Sequence, residues 1–425
     1  MTEVWKQADV AVAEADAQRK SWLAFLLRSA RPLSLNLLDQ AAYGLATFMI
    51  TGVVSRTTSP SEFARFFIFW SVAWTISAAA SDLVVTPLRL AIPRGEVQRA
   101  DVERLERFFT CAGLVLCVTG FVGGPFGYAP DVPQIAGFIA MPFACTAFSI
   151  RRASLYSRAA VATAASTSGV NFGITLVLVG LCILSGHQLA TYGLPIAAIA
   201  LCLPLLTRRS PASGQRGFKL LARACRTGFW FATNSIVRGL AFTSGLVALS
   251  AALRGSNATA LLGRTFVMAA PVQLASSALP LLLMPRLLAA ERIGAVALRR
   301  TIGVQLCMYL FAAFSGLVVF RIVFGEWKRL LLPSATHDPG FLAVSFLIFV
   351  ILMTSWSSPV IQMLCHASTP LITTLSIAVP SLIAVALPLP SPLLAGVPYG
   401  LTLCIHVFLM VRYWKRLDPE LRVLI

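Results

Sequence analysis

About twelve long apolar segments run through this chain, and its charges are confined almost entirely to the stretches between them. Crossing the hydrocarbon of a bilayer takes about 20 mostly apolar residues. Segments of that kind lie at 35–55, 62–88, 108–128, 133–150, 159–184, 188–206, 227–252, 258–285, 301–324, 341–363, 369–389 and 393–411. Within lipid the backbone has no water to bond to, so each segment is expected to be helical and to satisfy its own N–H and C=O groups. The 369–389 segment is the weakest of them, because Pro380 and Pro388 interrupt it. The chain therefore reads as an all-α integral membrane protein with about twelve transmembrane helices.

Composition points the same way. Charged residues make up 12% of the chain, hydrophobic residues 57%, and the mean hydropathy is +0.79. Soluble domains carry a charged fraction of about 25%. The net charge of +18 does not indicate nucleic acid, because no basic patch is interleaved with aromatic residues. Its basic groups lie between apolar spans, where the inner membrane face attracts them. All nine cysteines lie in or beside the apolar segments and none forms a C-x-x-C pair, so they read as small packing residues. Residues 1–21 alternate acids and bases without a long apolar run, unlike a signal peptide.

The basic residues are sorted. The N-terminal tail, every second connection and the C-terminal tail together hold 27 of the 35 Lys and Arg, and the remaining connections hold seven. The positive-inside rule then places both termini in the cytoplasm. The connection at 364–368 has no Lys or Arg, so the last three spans are oriented less firmly. The longest internal basic stretch, 207–226, divides the spans into six and six. The resulting organisation is a cytoplasmic tail over 1–33, an N-lobe over 34–206, a linker over 207–226, a C-lobe over 227–411 and a cytoplasmic tail over 412–425. An even number of spans per half makes the halves parallel repeats, related by an axis along the membrane normal. Leu83, Pro87, Leu90 and Ala91 match Leu281, Pro285, Leu288 and Ala289 at an offset of 198 residues. The same offset sets Gln40 opposite Arg238.

Arg238 is the unsorted base. It lies halfway along the 227–252 segment, where an arginine costs about 2.5–3.5 kcal/mol on insertion scales and usually faces an interior or a hydrated cavity. It reads as an anion-binding group, or as the partner of Asp39 or Asp82. Asn36, Asp39, Gln40 and Tyr43 follow 3–4 spacing and share one face of the first span. Such a polar stripe suits a hydrated cavity or a helix–helix contact. Asp39 and Asp82 are the two acids within the spans, and either is a candidate for proton or cation coupling or a plain counter-ion. Arg56, Arg65 and Arg264 fall near the outer ends of their spans. They could snorkel to the interface or form an outward ring around an anionic headgroup. Trp70 and Trp74 share a face of the second span, for packing or for contact with lipid or sugar. The four histidines are scattered, and neither a phosphate-binding loop nor a nucleophile elbow is present, so no metal site, cofactor or enzyme activity is expected.

Three segments resemble the bacterial polysaccharide (O-antigen) flippases of the multidrug/oligosaccharidyl-lipid/polysaccharide exporter superfamily. They are VSRTTSPSEFARFFIFWSV from Val54, RRASLYSR over 151–158 and APVQLASSALPLLLMPRLLA over 270–289. In those proteins a glycine often follows the first aromatic of the second span; here it is Ala64. The resemblance implies two six-helix lobes around a central cavity. It implies movement of a polyprenyl-pyrophosphate-linked oligosaccharide to the outer leaflet by alternating access, for surface or exopolysaccharide synthesis. It also implies coupling to an H+ or Na+ gradient, with a glycan polymerase and export machinery as partners beside the membrane lipids. Arginine suits a pyrophosphate through bidentate bonding. A cation-coupled multidrug exporter of the same superfamily is the nearest alternative, and it would favour acids in the cavity. A major-facilitator transporter is third, but its Gly-Asp-Arg-Gly-type loop between spans 2 and 3 is not seen. A membrane glycan polymerase or ligase, of a different class, would need a substantial outward loop, and the longest here, about 325–340, is short.

Overall fold

A computed structural model of the chain describes residues 34–36, 38–92, 97–123, 132–157, 160–206, 217–332, 340–364 and 369–417. All regular structure among these residues is helical. The first lobe comprises α1 (Ser34–Thr57), α2 (Pro60–Ala91), α3 (Arg99–Gly123), α4 (Val132–Tyr156), α5 (Val161–Leu184) and α6 (Leu189–Cys202). The second comprises α7 (Gly217–Phe242), α8 (Ser244–Ile293), α9 (Ala295–Leu331), α10 (Phe341–Leu364), α11 (Thr369–Ala386), the single turn α12 (Ser391–Leu394) and α13 (Val397–Leu417). The two-lobe membrane architecture expected from the apolar segments is the one found. Long helix faces remain apolar and exposed, as along Met308, Phe311, Val318 and Ile322 of α9. Soluble proteins rarely present such a surface to water, whereas lipid tails cover it at little cost.

Chemistry at the helix ends sets where the helices begin and stop. A capping box opens α2: Glu62 N donates to Ser59 Oγ at 3.3 Å, and Ser59 N donates to Glu62 Oε2 at 3.0 Å. At the arginine-rich end of the first lobe, acids in the first turns of α3 pair with the bases around them. Arg99 donates to Glu103 at 2.6 Å, and Arg151 of α4 lies 4.0 Å from Glu106. The bases sorted by sequence are therefore partly tied into the bundle rather than free in solvent.

Crossings seven and eight depart from the expected pattern. Helix α7 ends at Phe242, Thr243 is non-helical at φ −139° and ψ −79°, and helix resumes at Ser244. The Ser244 hydroxyl donates to Gly239 O at 3.1 Å, supplying a donor to a carbonyl beside the break. The chain then reverses at Gly255, whose φ of +81° an L side chain rarely adopts. Ser250 and Thr259 face each other across that turn, their hydroxyls 3.4 Å apart. Nine residues of straight helix would hold them about 13 Å apart. Crossing seven is thus α7 plus 244–254, and crossing eight is 256–293.

Two boundaries move. Residues 217–226, expected within the linker, form the first turns of α7. Leu220, Leu221 and Cys225 pack against the cluster of Val84, Leu88, Val102 and Leu105, while Arg223 and Arg226 are exposed. The Ser, Pro and Gly of 207–216 suggested a linker throughout, but an amphipathic stretch beyond them finds an apolar partner and folds. Helix α13 likewise runs on to Leu417 past the expected end at 411. The 369–389 segment ends as α11 at Ala386 and carries Pro380 inside it. Residues 1–33, 207–216 and 418–425, with Arg28 and Arg31, lie outside the described residues.

The lobes meet where α2 packs antiparallel on α7 and then on α8. Glycines bring the backbones together: a Cβ on Gly228 would stand 1.9 Å from Leu83 O, and one on Gly239 would stand 2.1 Å from Thr75 Cγ2. Thr75 and Ser244 share a hydrogen bond of 3.1 Å across the same seam. Towards the arginine-poor end, Gly263 of α8 fits between Phe63 and Phe67 of α2.

Candidate functional site: a cavity between the lobes

Between the lobes lies a cavity of about 290 Å³. Its walls are Tyr43, Thr47, Phe48 and Thr51 from α1, and Phe67, Trp70, Ser71 and Trp74 from α2. Thr243 at the helix break and Phe266, Val267, Ala270 and Gln273 of α8 complete them. Among the described residues no charged side chain lines it. The hydroxyls of Thr47, Thr51, Ser71 and Thr243 each donate to a carbonyl of the preceding turn at 2.8–3.2 Å. A hydroxyl that has given its proton to its own helix presents only lone pairs, so these four offer acceptors to whatever enters. The aromatics form one wall: Trp70 and Trp74 have centroids 5.9 Å apart, and Tyr43 meets Trp74 edge-on at 6.2 Å. The Trp74 indole N–H is buried with no acceptor among the described residues. Such surfaces, aromatic faces among hydroxyl acceptors, match the apolar faces and O–H donors of a sugar.

Arg238 stands beside this cavity rather than in its wall. It shares a face of α7 with Asn234 and Phe242, one turn away on either side, and its guanidinium carbon lies 5.6 Å from the Phe242 ring centre. The Phe242 ring meets Tyr399 of α13 edge-on at 4.9 Å, and Tyr399 Oη accepts from Gln273 Nε2 at 3.4 Å. Through those three side chains Arg238 adjoins the cavity wall. Its charge bears on Tyr399 and His406, and Asn234 Oδ1 accepts from Thr374 of α11 at 3.1 Å. The opposite face of α7 carries exposed Phe229, Ile236 and Leu240, the surface lipid would cover. Arg238 is itself exposed and has no carboxylate partner among the described residues.

The acids are occupied. Asp39 is fully buried and pairs with Arg152 of α4, whose Nε donates to it at 3.0 Å and whose Nη2 donates as well. Tyr156 and Ser168 also donate to Asp39, and the Tyr156 hydroxyl lies 2.7 Å from Asn36 Oδ1. Asn36 and Asp39 thus face α4 and α5 inside the first lobe. Asp82 accepts from Thr86 at 2.9 Å and from Ser235 of α7, placing it in the seam between the lobes. Gln40 is half-buried on α1 and has no hydrogen-bond partner among the described residues.

The three arginines expected near the far ends of their spans have different surroundings. Arg264 is 2% exposed, donates weakly to Ser55 O at 3.5 Å and lies over Phe63. Its neighbours Phe266 and Val267 line the cavity, so it sits at the cavity's arginine-poor end. Arg56 is exposed and lines a second cavity, of about 440 Å³, with Val323, Glu326, Trp327 and Arg329 at the tip of α9. Arg65 is exposed on α2, and neither it nor Arg264 lines that second cavity. Sequence reasoning missed Arg152, which looked like one more base in a basic connection, and Arg254. The latter donates to the carbonyls of Val385, Leu387 and Leu389 and so caps α11.

No protein-family model matches the sequence, and no characterised protein matches it by sequence. Solved structures do match in fold. The inward-facing form of a multidrug resistance MATE family transporter of the MOP superfamily aligns at TM-score 0.61 and 14% identity, covering 92% of this chain and 95% of that one. A eukaryotic MATE transporter aligns at TM-score 0.55 and 12% identity over 92% and 100% of the two chains. A MOP superfamily transporter from Pyrococcus furiosus aligns at TM-score 0.55 and 12% identity, over 92% and 95%. The fold is therefore that of the MATE-like, two-lobe membrane transporters.

Proposed function

We propose that the chain is a carrier that moves an anionic, lipid-linked glycan across the bacterial inner membrane by alternating access of the cavity between its lobes. The observation that carries this reading is the charge arrangement. Both intramembrane acids are engaged, Asp39 with Arg152 and Asp82 with Thr86 and Ser235, while Arg238 has no carboxylate partner among the described residues. A pyrophosphate would supply the missing charge, and a bidentate guanidinium suits it. The aromatic and acceptor-rich cavity wall suits the attached sugars, and the polyprenyl tail can stay in lipid. The sorting of basic residues supports cytoplasmic termini, with the arginine-rich end facing the cytoplasm. A glycan polymerase and export machinery would then act on the product at the outer leaflet.

A cation-coupled multidrug exporter is the second reading, favoured by the structural neighbours, one of which is a MATE transporter in complex with Rb+ at TM-score 0.50. The fold does not set the sign of the cargo: the Pyrococcus furiosus protein is described as having a binding pocket of reversed polarity that suggests a different function. A cationic drug would need an acid free to meet it; Asp39 is neutralised by Arg152, and Asp82 lies in the seam between the lobes, outside the cavity wall.

Deleting the gene should trap lipid-linked glycan on the inner leaflet, and an Arg238→Ala protein that inserts normally should fail to restore export. Arg238→Lys should restore it in part, since it keeps the charge and loses the fork. Normal export in the deletion strain, with no second carrier present, would remove the flippase reading. Expulsion of a cationic dye by the purified protein in vesicles would establish the exporter instead.

A further inference from the structure

We infer that Arg152 is a built-in counter-cation for Asp39, and that the first lobe holds no exchangeable metal cation at this carboxylate. An ionised carboxylate accepts about four hydrogen bonds. Here the four donors are Arg152 Nε, Arg152 Nη2, Tyr156 Oη and Ser168 Oγ. The guanidinium balances the charge, three of the donors meet Oδ2 and Ser168 meets Oδ1, all at a site with no exposed surface on Asp39. Arg152 is held on its faces as well. Its guanidinium carbon lies 5.3 Å from the Tyr43 ring centre and 5.9 Å from that of Tyr156. A guanidinium bonded along its Nε–Nη2 edge to one carboxylate oxygen and set against two rings does not exchange as a solvated ion does.

The position gives this pair a consequence. Tyr43 lines the cavity between the lobes, so the pair fixes a wall residue while tying α1 to α4 and α5. Removing the guanidinium would leave the Asp39 carboxylate, the Tyr156 and Ser168 hydroxyls and the Asn36 amide oxygen around one space. Carboxylate, carbonyl and hydroxyl oxygens are the ligands hard cations take. Arg152 thus occupies what would otherwise be an alkali-cation site. The resulting expectation, that carriage does not draw on a sodium gradient through Asp39, rests on the carrier reading above; the occupancy of the carboxylate does not.

The test compares thermal unfolding of the purified full-length protein in sodium chloride and in choline chloride at equal ionic strength. The wild-type protein should unfold at the same temperature in both. Arg152→Gln should unfold several degrees higher in sodium than in choline, and the added change Asp39→Asn should abolish that difference. Arg152→Lys, which retains a tethered charge, should again be indifferent to sodium. Sodium-dependent stabilisation of the wild type that disappears in Asp39→Asn would overturn the inference, as would a folded Arg152→Gln protein indifferent to sodium. Should Arg152→Gln not fold, the wild-type and Asp39→Asn comparison decides alone. Failure of translocation in vesicles would count against the carrier reading and leave these unfolding results standing.

Discussion

Arg264 lies with its guanidinium carbon 5.6 Å from the centre of the Phe63 ring, in the seam between the lobes, at 2% exposure. Its Nε is buried with no acceptor among the described residues, and Ser55 Oγ beside it is likewise unpartnered. The arrangement is expensive: a buried charge is repaid only by good pairing and full hydrogen bonding. The contact with Phe63 returns about 0.5–2 kcal/mol. Replacing a poorly paired buried ion by an apolar side chain of similar size is neutral or stabilising by about 1–4 kcal/mol. Arg264→Met should therefore unfold at the same or a higher temperature than the wild type. It should also favour the closed seam, read as slower modification of a cysteine placed at Ser55. A clear loss of stability in Arg264→Met would mean that Arg264 has a partner that this conformation does not display.

The glycine seam supplies a second expectation. An alanine at Gly228 would put a methyl carbon 1.9 Å from Leu83 O, a backbone atom that cannot rotate aside. Helices α2 and α7 would have to part, and overpacking of this kind costs about 1–3 kcal/mol or more. Gly173 of α5 is the control, with nothing within 4 Å of its Cβ position. Gly173→Ala should be neutral or stabilising by about 0.5–1 kcal/mol. Thermal unfolding of the two variants side by side checks the pair. Equal stability would mean that the lobes do not rest against each other at Gly228.

These contacts also mark what the sequence reveals of the structure and where it stops. Crossings and lobes are legible because burial in lipid demands about 20 apolar residues in a row and admits little else. The break at Thr243 is not, since no proline stands there and hydropathy does not change across it. What a base is bonded to also leaves no local trace. Asp39 and Arg152 are 113 residues apart, and Arg152 sits in a run of arginines that charge sorting treats alike. Arg264 and Arg56 look equivalent in hydropathy, yet one is packed under Phe63 and the other lines an open cavity. Arg238 stands out in the sequence because it lies far from any span end, but its neighbours Phe242, Tyr399 and Gln273 come from three helices.

Arg254 should matter for one helix end only. It donates to three carbonyls at the end of α11, two of them beyond the last helical residue Ala386. Helix ends leave such carbonyls without intrahelical donors. Arg254→Ala would leave them to compete for water near the membrane surface, at about 1–3 kcal/mol for each one that stays buried. Amide hydrogen exchange should quicken at 384–394 and remain unchanged in α2 and α7. Uniform quickening across the bundle would show instead that the turn at Gly255 depends on this cap.

The cavity wall contains one donor whose removal separates packing from binding. Trp74 lines the cavity, and its indole N–H is buried with no acceptor among the described residues. Leaving such a donor unsatisfied costs about 1–3 kcal/mol, so Trp74→Phe gains back part of what the smaller ring loses in buried area. Its unfolding temperature should stay close to that of the wild type. Binding should not. If the N–H meets an anionic or sugar oxygen of the cargo, its loss removes one hydrogen bond, worth about 1.5–3 kcal/mol when the acceptor is charged. That corresponds to roughly a 10- to 150-fold weaker affinity. Titration of the purified protein with a water-soluble, short-chain polyprenyl pyrophosphate glycan, read by tryptophan fluorescence and by calorimetry, measures it. Weakened binding with stability retained would assign Trp74 to the cargo; unchanged binding with higher stability would leave it a packing residue whose N–H the fold tolerates.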